Sequence, residues 1–142
     1  MHLGARTNSS MTDEVVDQIL ALKTWAIVGL SNNAERPAFA VSALLQQKGH
    51  RIVPVHPKAE SVHGERGYAR LEDIEFPIDV VDVFVNSALA GVVVDDAIKI
   101  GAKAVWLQLE VIDESALARA QGAGLLAVMN KCPAIEYRKR VS

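Results

Sequence analysis

Cysteine is almost missing from this sequence, and so are the usual markers of several large function classes. Cys132 stands alone among 142 residues, so no internal disulfide can form and a reducing, cytoplasmic setting is expected. Basic residues show no surplus: the formal net charge is −2, which supplies no general attraction to nucleic acid or to an anionic membrane. No apolar run approaches the length of a membrane span, because charged residues interrupt each candidate. The opening stretch MHLGARTNSS lacks the apolar core of a signal peptide, and residues 1–11 read as a disordered lead-in. Three glycine signatures are absent as well: the G-x-G-x-x-G dinucleotide fingerprint, the G-x-x-x-x-G-K-[ST] phosphate loop and the G-x-S-x-G nucleophile elbow. His50, His56 and His63 keep a spacing that fits no common metal site, and no cysteine joins them. Asp79 and Asp82 fall on different faces of one predicted strand and make no acid–base pair.

What is present is a regular alternation of short apolar runs and amphipathic stretches. The pivotal stretch is TWAIVGLSNNAERPAF, residues 24–39. Trp25 to Leu30 reads as a buried strand, Gly29 breaks it, Ser31 to Arg36 form a polar loop, and Pro37 opens a helix. Proline suits a first helical turn, where its missing N–H has no partner to lose. Such a turn brings backbone N–H groups and a helix dipole to one point, where phosphate is the natural ligand. Upstream, Val15, Val16, Ile19 and Leu20 predict a helix over 12–22 packed across a sheet edge, with Ser10 and Asp13 at capping-box spacing. Downstream, the pattern predicts a helix to Lys48 stopped by Gly49, then a strand at Arg51–Val55. Pro54 inside it implies a ladder position that needs no donor, or an irregular strand end. A short helical turn at Leu71–Ile74 precedes a strand at Val80–Val85, and a helix capped by Ser87 runs to Ile100. Strand Ala104–Leu109, helix Asp113–Gln121 and strand Leu125–Met129 complete the alternation. This pattern predicts right-handed crossovers and a doubly wound α/β domain: a parallel sheet of about five strands between two helical layers, with an N-terminal helix. Residues 12–142 are expected to form a single domain.

In such a sheet the ligand crevice lies outside the strand C-termini, where the strand order reverses. The segments expected there are Gly29 to Arg36, with Gly29, Leu30, Ser31, Asn32 and Arg36 as candidates; His56 to Lys58, beside Val55; Asn86 with Ser87; Gln108 to Glu110, beside Leu107; and Asn130 to Pro133. The second strand lacks the terminal acid that holds the ribose of NAD, and Lys58 suits a ribose phosphate instead, which leaves NADP or coenzyme A. Cys132 reads as a small hydrophobe and Trp25 and Trp106 as packing residues.

Five ordered segments carry a family resemblance: GLSNNAERPAF, VPVHPKAESVHGERGYARLEDI, IDVVDVFVNS, AVWLQLEVI and VMNKCPAIEY. Together they resemble the small stand-alone CoA-binding proteins, single Rossmann-like domains similar to the CoA-binding domain of the succinyl-CoA synthetase alpha subunit. The resemblance implies coenzyme A as cofactor. It implies that the first loop (Ser31, Asn32, Arg36) and Pro57-Lys58 meet the coenzyme phosphates, while Gln108, Asn130, Cys132 and Pro133 line the same cleft. The chain departs from the family at Val85, where Arg is common, at Ala88, where an acid is common, and at Glu110, where Gly is common.

No residue stands out as nucleophile or base, and the phosphorylated histidine of the synthetases belongs to a further domain that has no counterpart in these residues. The sequence therefore predicts a cytoplasmic, non-catalytic module that binds CoA or an acyl-CoA, with no nucleic-acid or membrane partner; a homo-oligomer or a partner enzyme stays open. The alternatives are an NADP-dependent oxidoreductase and a regulatory or assembly subunit with a vestigial nucleotide pocket.

Overall fold

The computed structural model describes residues 3–140, with side chains from Met11 onward. In chain order the elements are α1 (Leu3–Leu20), β1 (Thr24–Val28), α2 (Pro37–Gln47), β2 (Arg51–Val55), β3 (Val80–Val83), α3 (Ser87–Lys99), β4 (Ala104–Leu107), α4 (Glu114–Gly122), β5 (Leu126–Val128) and α5 (Pro133–Lys139), with a short 3-10 turn at Leu71–Asp73. The five strands form one all-parallel sheet in the order β2-β1-β3-β4-β5. The expected Rossmann-like three-layer architecture is therefore the observed one.

Alternating side chains send each strand into two cores. Val81, Val83, Val105 and Leu107 pack beneath α3 and α4, against Ala90, Val94, Ala97, Ala116 and Ala120. Trp25, Ile27, Val80 and Trp106 pack on the other face with Val16 and Ile19 of α1, Ala38, Val41 and Leu45 of α2, and Tyr137 of α5. Both tryptophans are fully buried and their rings lie 5.7 Å apart, a packing role as expected. Edge strand β2 explains Pro54: its carbonyl faces outward and accepts from Tyr68 N–H at 2.9 Å, so the missing N–H faces away from β1.

Three features depart from the sequence pattern. Helix α1 lies against β5 at the sheet edge as expected, but it starts at Leu3 and ends at Leu20. Of the expected lead-in, residues 1 and 2 lie outside the described residues. The cap of α3 is Asn86, whose side chain accepts from Leu89 N–H at 3.2 Å, and Ser87 is already inside the helix. Helix α5 has no counterpart among the predicted elements; Pro133 opens it, and Arg140 at its end bonds Asp17 of α1 and the buried Glu136.

Candidate functional site

The strand order reverses between β1 and β3: the chain steps from β1 outward to β2, then returns past β1 to β3. Loops leaving β1 and β3 therefore diverge, and a cleft of about 880 Å³ opens above their C-terminal ends. Gly29, with φ of 105°, turns the chain out of β1; a side chain there would stand 3.1 Å from Phe84 Cβ. The strand thus ends at Val28, two residues before the apolar run does.

Gly29, Ser31, Asn32, Arg36, Val55, His56, Pro57, Lys58 and Asn86 all line this cleft. The other candidates do not. Leu30 and Leu107 are fully buried in opposite cores. Ser87, Gln108, Asn130, Cys132 and Pro133 stand outside the lining, the last four at the ends of β4 and β5, strands that lie beyond β3 from the switch point. Most of their polar groups are engaged locally. Asn130 Oδ1 accepts from Glu110 N–H at 2.7 Å, and Ser87 Oγ accepts from Ile112 N–H at 2.9 Å. Trp106 Nε1 donates to the Lys131 carbonyl at 2.9 Å, and Cys132 packs against the core. Of the three family departures, Val85 lines the cleft, whereas Ala88 and Glu110 do not. Glu110 holds a φ of 68°, the left-handed region where glycine is at ease.

The first loop engages some of its amides and leaves others open. Asn33 N–H donates to Ser31 Oγ at 3.2 Å, Glu35 N–H to Asn33 Oδ1 at 3.0 Å, and Arg36 N–H to the Asn33 carbonyl at 3.1 Å. The amides of Ser31, Ala34 and Ala38 donate to no acceptor among the described residues, and Ala38 lies in the first turn of α2, at its positive dipole end. The Arg36 guanidinium and the Lys58 ammonium likewise have no ion-pair partner among the described residues, whereas Arg70 is paired with Glu72 at 3.3 Å and Asp73 at 3.6 Å. Lys58 N–H donates to His56 Nδ1 at 3.1 Å, which leaves the proton of a neutral imidazole on Nε2.

Sequence reasoning missed the far wall. Leu89, Val92 and Val93 of α3 line the cleft, and the first two are exposed by 53% and 63%. Their helical spacing reads as a core-facing stripe, so only the exposure reveals them. Glu60, Arg70 and Leu71 also reach the cleft from the irregular stretch after β2, where no periodic signal marks them. Among the described residues no group of three or more His, Cys, Asp or Glu side chains stands where it could hold a metal ion, and no helix is long and apolar enough to cross a membrane.

An open, all-parallel sheet with helices on both faces and a cleft at its switch point defines a Rossmann-like α/β domain. Its loops carry unengaged amides and two unpaired cations over β1 and β2. Residues 23–138 match the CoA-binding domain family, and the chain belongs to that family. It is similar to the uncharacterized protein YneT of Bacillus subtilis (strain 168), with 29% identity over 119 residues covering 84% of this chain and 88% of that one. A hypothetical protein from Pyrococcus horikoshii OT3 is 40% identical, with a TM-score of 0.84 over 89% of this chain and 90% of that one. The structure of cell-free ID.343 from Thermus thermophilus superposes with the same TM-score of 0.84 at 27% identity, covering 91% of this chain and 98% of its own.

Proposed function

We propose that this domain binds coenzyme A, or an acyl-CoA, in the switch-point cleft as a non-catalytic module of the cytoplasm. The observation that carries the reading is the convergence of Arg36, Lys58 and the unengaged amide of Ser31 with an apolar wall of Leu89, Val92 and Val93. A phosphorylated nucleotide with a long, weakly polar arm needs both kinds of surface. The amides and Arg36 suit the diphosphate. Lys58 suits a phosphate on the ribose, a compact cation meeting a compact anion. Family membership supports the same ligand. The non-catalytic part rests on the lining itself: among the described residues it contains no nucleophile hydrogen-bonded to a base, and His56 Nδ1 is engaged by a backbone amide. Cys132, unpaired and half-buried, accords with a reducing compartment.

Calorimetric titration with CoA, dephospho-CoA and NADP tests the reading. The expected result is saturable CoA binding that weakens about tenfold when the 3′-phosphate is missing, with that discrimination lost in Lys58→Ala. Saturable NADP binding without CoA binding would move the function to redox chemistry. Absence of heat with all three ligands, and no shift in melting temperature, would remove the cleft as a nucleotide site.

A further inference from the structure

Glu60 reaches the first loop from the segment that follows β2, and it takes hold of an amide that the loop would otherwise present to an anion. Its Oε1 accepts from the Asn32 backbone N–H at 3.1 Å and from Asn32 Nδ2 at 3.3 Å. Asn32 Nδ2 also donates to the Ser61 carbonyl at 2.9 Å, so the loop and the 60–61 segment are clipped together. Glu60 is half-buried and lines the same cleft as Arg36 and Lys58.

The backbone delivers this carboxylate to its place. Ala59 has a φ of 51°, unusual for a residue with a side chain. Gly67 packs directly behind it: a Cβ at that position would stand 2.0 Å from the Glu60 carbonyl oxygen and 2.9 Å from the Ala59 carbonyl carbon. Only a residue without a side chain lets the two strands of this turn approach so closely. The turn is held by its own packing, and it aims the Glu60 carboxylate at a backbone donor of the first loop.

We propose that Glu60 sets the affinity and anion selectivity of the cleft by competing with a ligand phosphate for the Asn32 amide. The proposal rests on the coenzyme reading above and adds a residue that works against the ligand. A carboxylate at two donors behaves as a built-in monoanion. A ligand that brings several phosphate charges, and engages Arg36, Lys58 and the open amides at once, displaces it; a monoanion gains too few contacts to do so. Glu60 thereby excludes weak anions at a modest loss of affinity for the intended ligand.

Calorimetry with CoA and with inorganic pyrophosphate tests this on the wild type, Glu60→Ala and Glu60→Gln, alongside the Asn32 amide resonance before any ligand is added. The expected result is CoA binding about tenfold tighter in Glu60→Ala, with pyrophosphate gaining at least as much, because a competing charged hydrogen-bond acceptor has gone. Glu60→Gln keeps an acceptor without the charge and is expected between the two. The Asn32 amide resonance of the free wild type is expected downfield of its position in Glu60→Ala, where the acceptor is gone. Unchanged or weaker CoA binding in Glu60→Ala, with wild-type binding intact, would overturn the competition and make Glu60 a brace of the loop, while leaving the coenzyme reading standing. Failure of all three proteins to bind CoA would overturn the coenzyme reading itself, and the competition with it.

Discussion

Replacing Asp82 with asparagine isolates one buried proton. Asp82 sits in the middle of β3, in register with Ile27 of β1 and Trp106 of β4. It is 0% exposed, and neither carboxyl oxygen has a hydrogen-bond partner. Burial alone pushes its carboxyl well above the usual carboxylate range, because an unpaired charge in that apolar layer has nothing to replace water. The folded chain therefore keeps a proton that the unfolded chain releases near a pH of about 3.9. Since the folded-state value is the higher one, the stability tied to this proton is complete below about pH 3.9 and is lost as pH rises toward the folded value. Within that window the slope is about 1.4 kcal/mol per pH unit. Asparagine has nearly the same shape and stays neutral throughout. Its amide meets the same partnerless surroundings, so the variant carries a pH-independent offset of about 1–3 kcal/mol. The stability difference between Asp82→Asn and wild type is expected to move toward the variant by about 1.4 kcal/mol per pH unit from about pH 4 upward. Urea unfolding of both proteins at half-unit steps between about pH 4 and pH 7.5 measures it, and the remaining titrating groups cancel in the difference. A difference that stays flat with pH would refute the reasoning, since it would mean that water or a partner reaches the carboxyl in the folded chain.

Two further substitutions probe the frame around the cleft. His50 Nδ1 donates to the Leu22 carbonyl at 2.8 Å, so its Nε2 accepts from the Tyr137 hydroxyl and joins the α1–β1 turn, the α2–β2 turn and α5. Tyr137→Phe leaves that nitrogen unpartnered and is expected to lower urea-unfolding stability by about 1 kcal/mol, and an unchanged midpoint would show that the bond contributes nothing. Burial lowers the His50 value, so the stability tied to its neutral ring is complete above about pH 6.5 and is lost as pH falls toward the folded value. Glu110→Gly relieves a left-handed φ of 68° at a residue whose side chain does not line the cleft. Strain relief of about 1 kcal/mol against a flexibility cost of about 0.5–1 kcal/mol predicts a stability change near zero or slightly favourable, with CoA affinity unchanged; a change in affinity would place Glu110 at the ligand.

Much of the fold was legible because its signals are local. Apolar runs with glycine or proline at their ends mark β1, β2 and the start of α2, and of the two readings Pro54 allowed, a ladder position without a donor is the one observed. Helix α5 was not legible from periodicity: its seven residues bury only Pro133 and Glu136 outright, and its tie to α1 runs through Arg140 and Asp17, far apart in the chain. The cap of α3 was misplaced by one residue because Asn86 and Ser87 are both good caps, and only the helix boundary decides between them. Likewise the strained φ of Glu110 leaves no trace in composition or period.

The site was legible as an inventory of polar residues after each strand, and the fold decides which of them stay available. Loops after β4 and β5 are rich in donors and acceptors, yet Asn130 and the Lys131 carbonyl are already engaged in holding those loops to each other and to Trp106, and Ser87 of α3 takes the Ile112 amide. Loops after β1 and β2 keep two cations without ion pairs and several amides without acceptors. The difference follows from topology. Beyond β3 the sheet continues in one direction, so the loops after β4 and β5 pack onto their neighbours and satisfy one another. At the switch point the loops after β1 and β3 turn away from each other, and their donors face an opening instead of a neighbour. Unengaged donors therefore accumulate where the strand order reverses, and Glu60 is a carboxylate that the fold has set beside them, on the Asn32 amide.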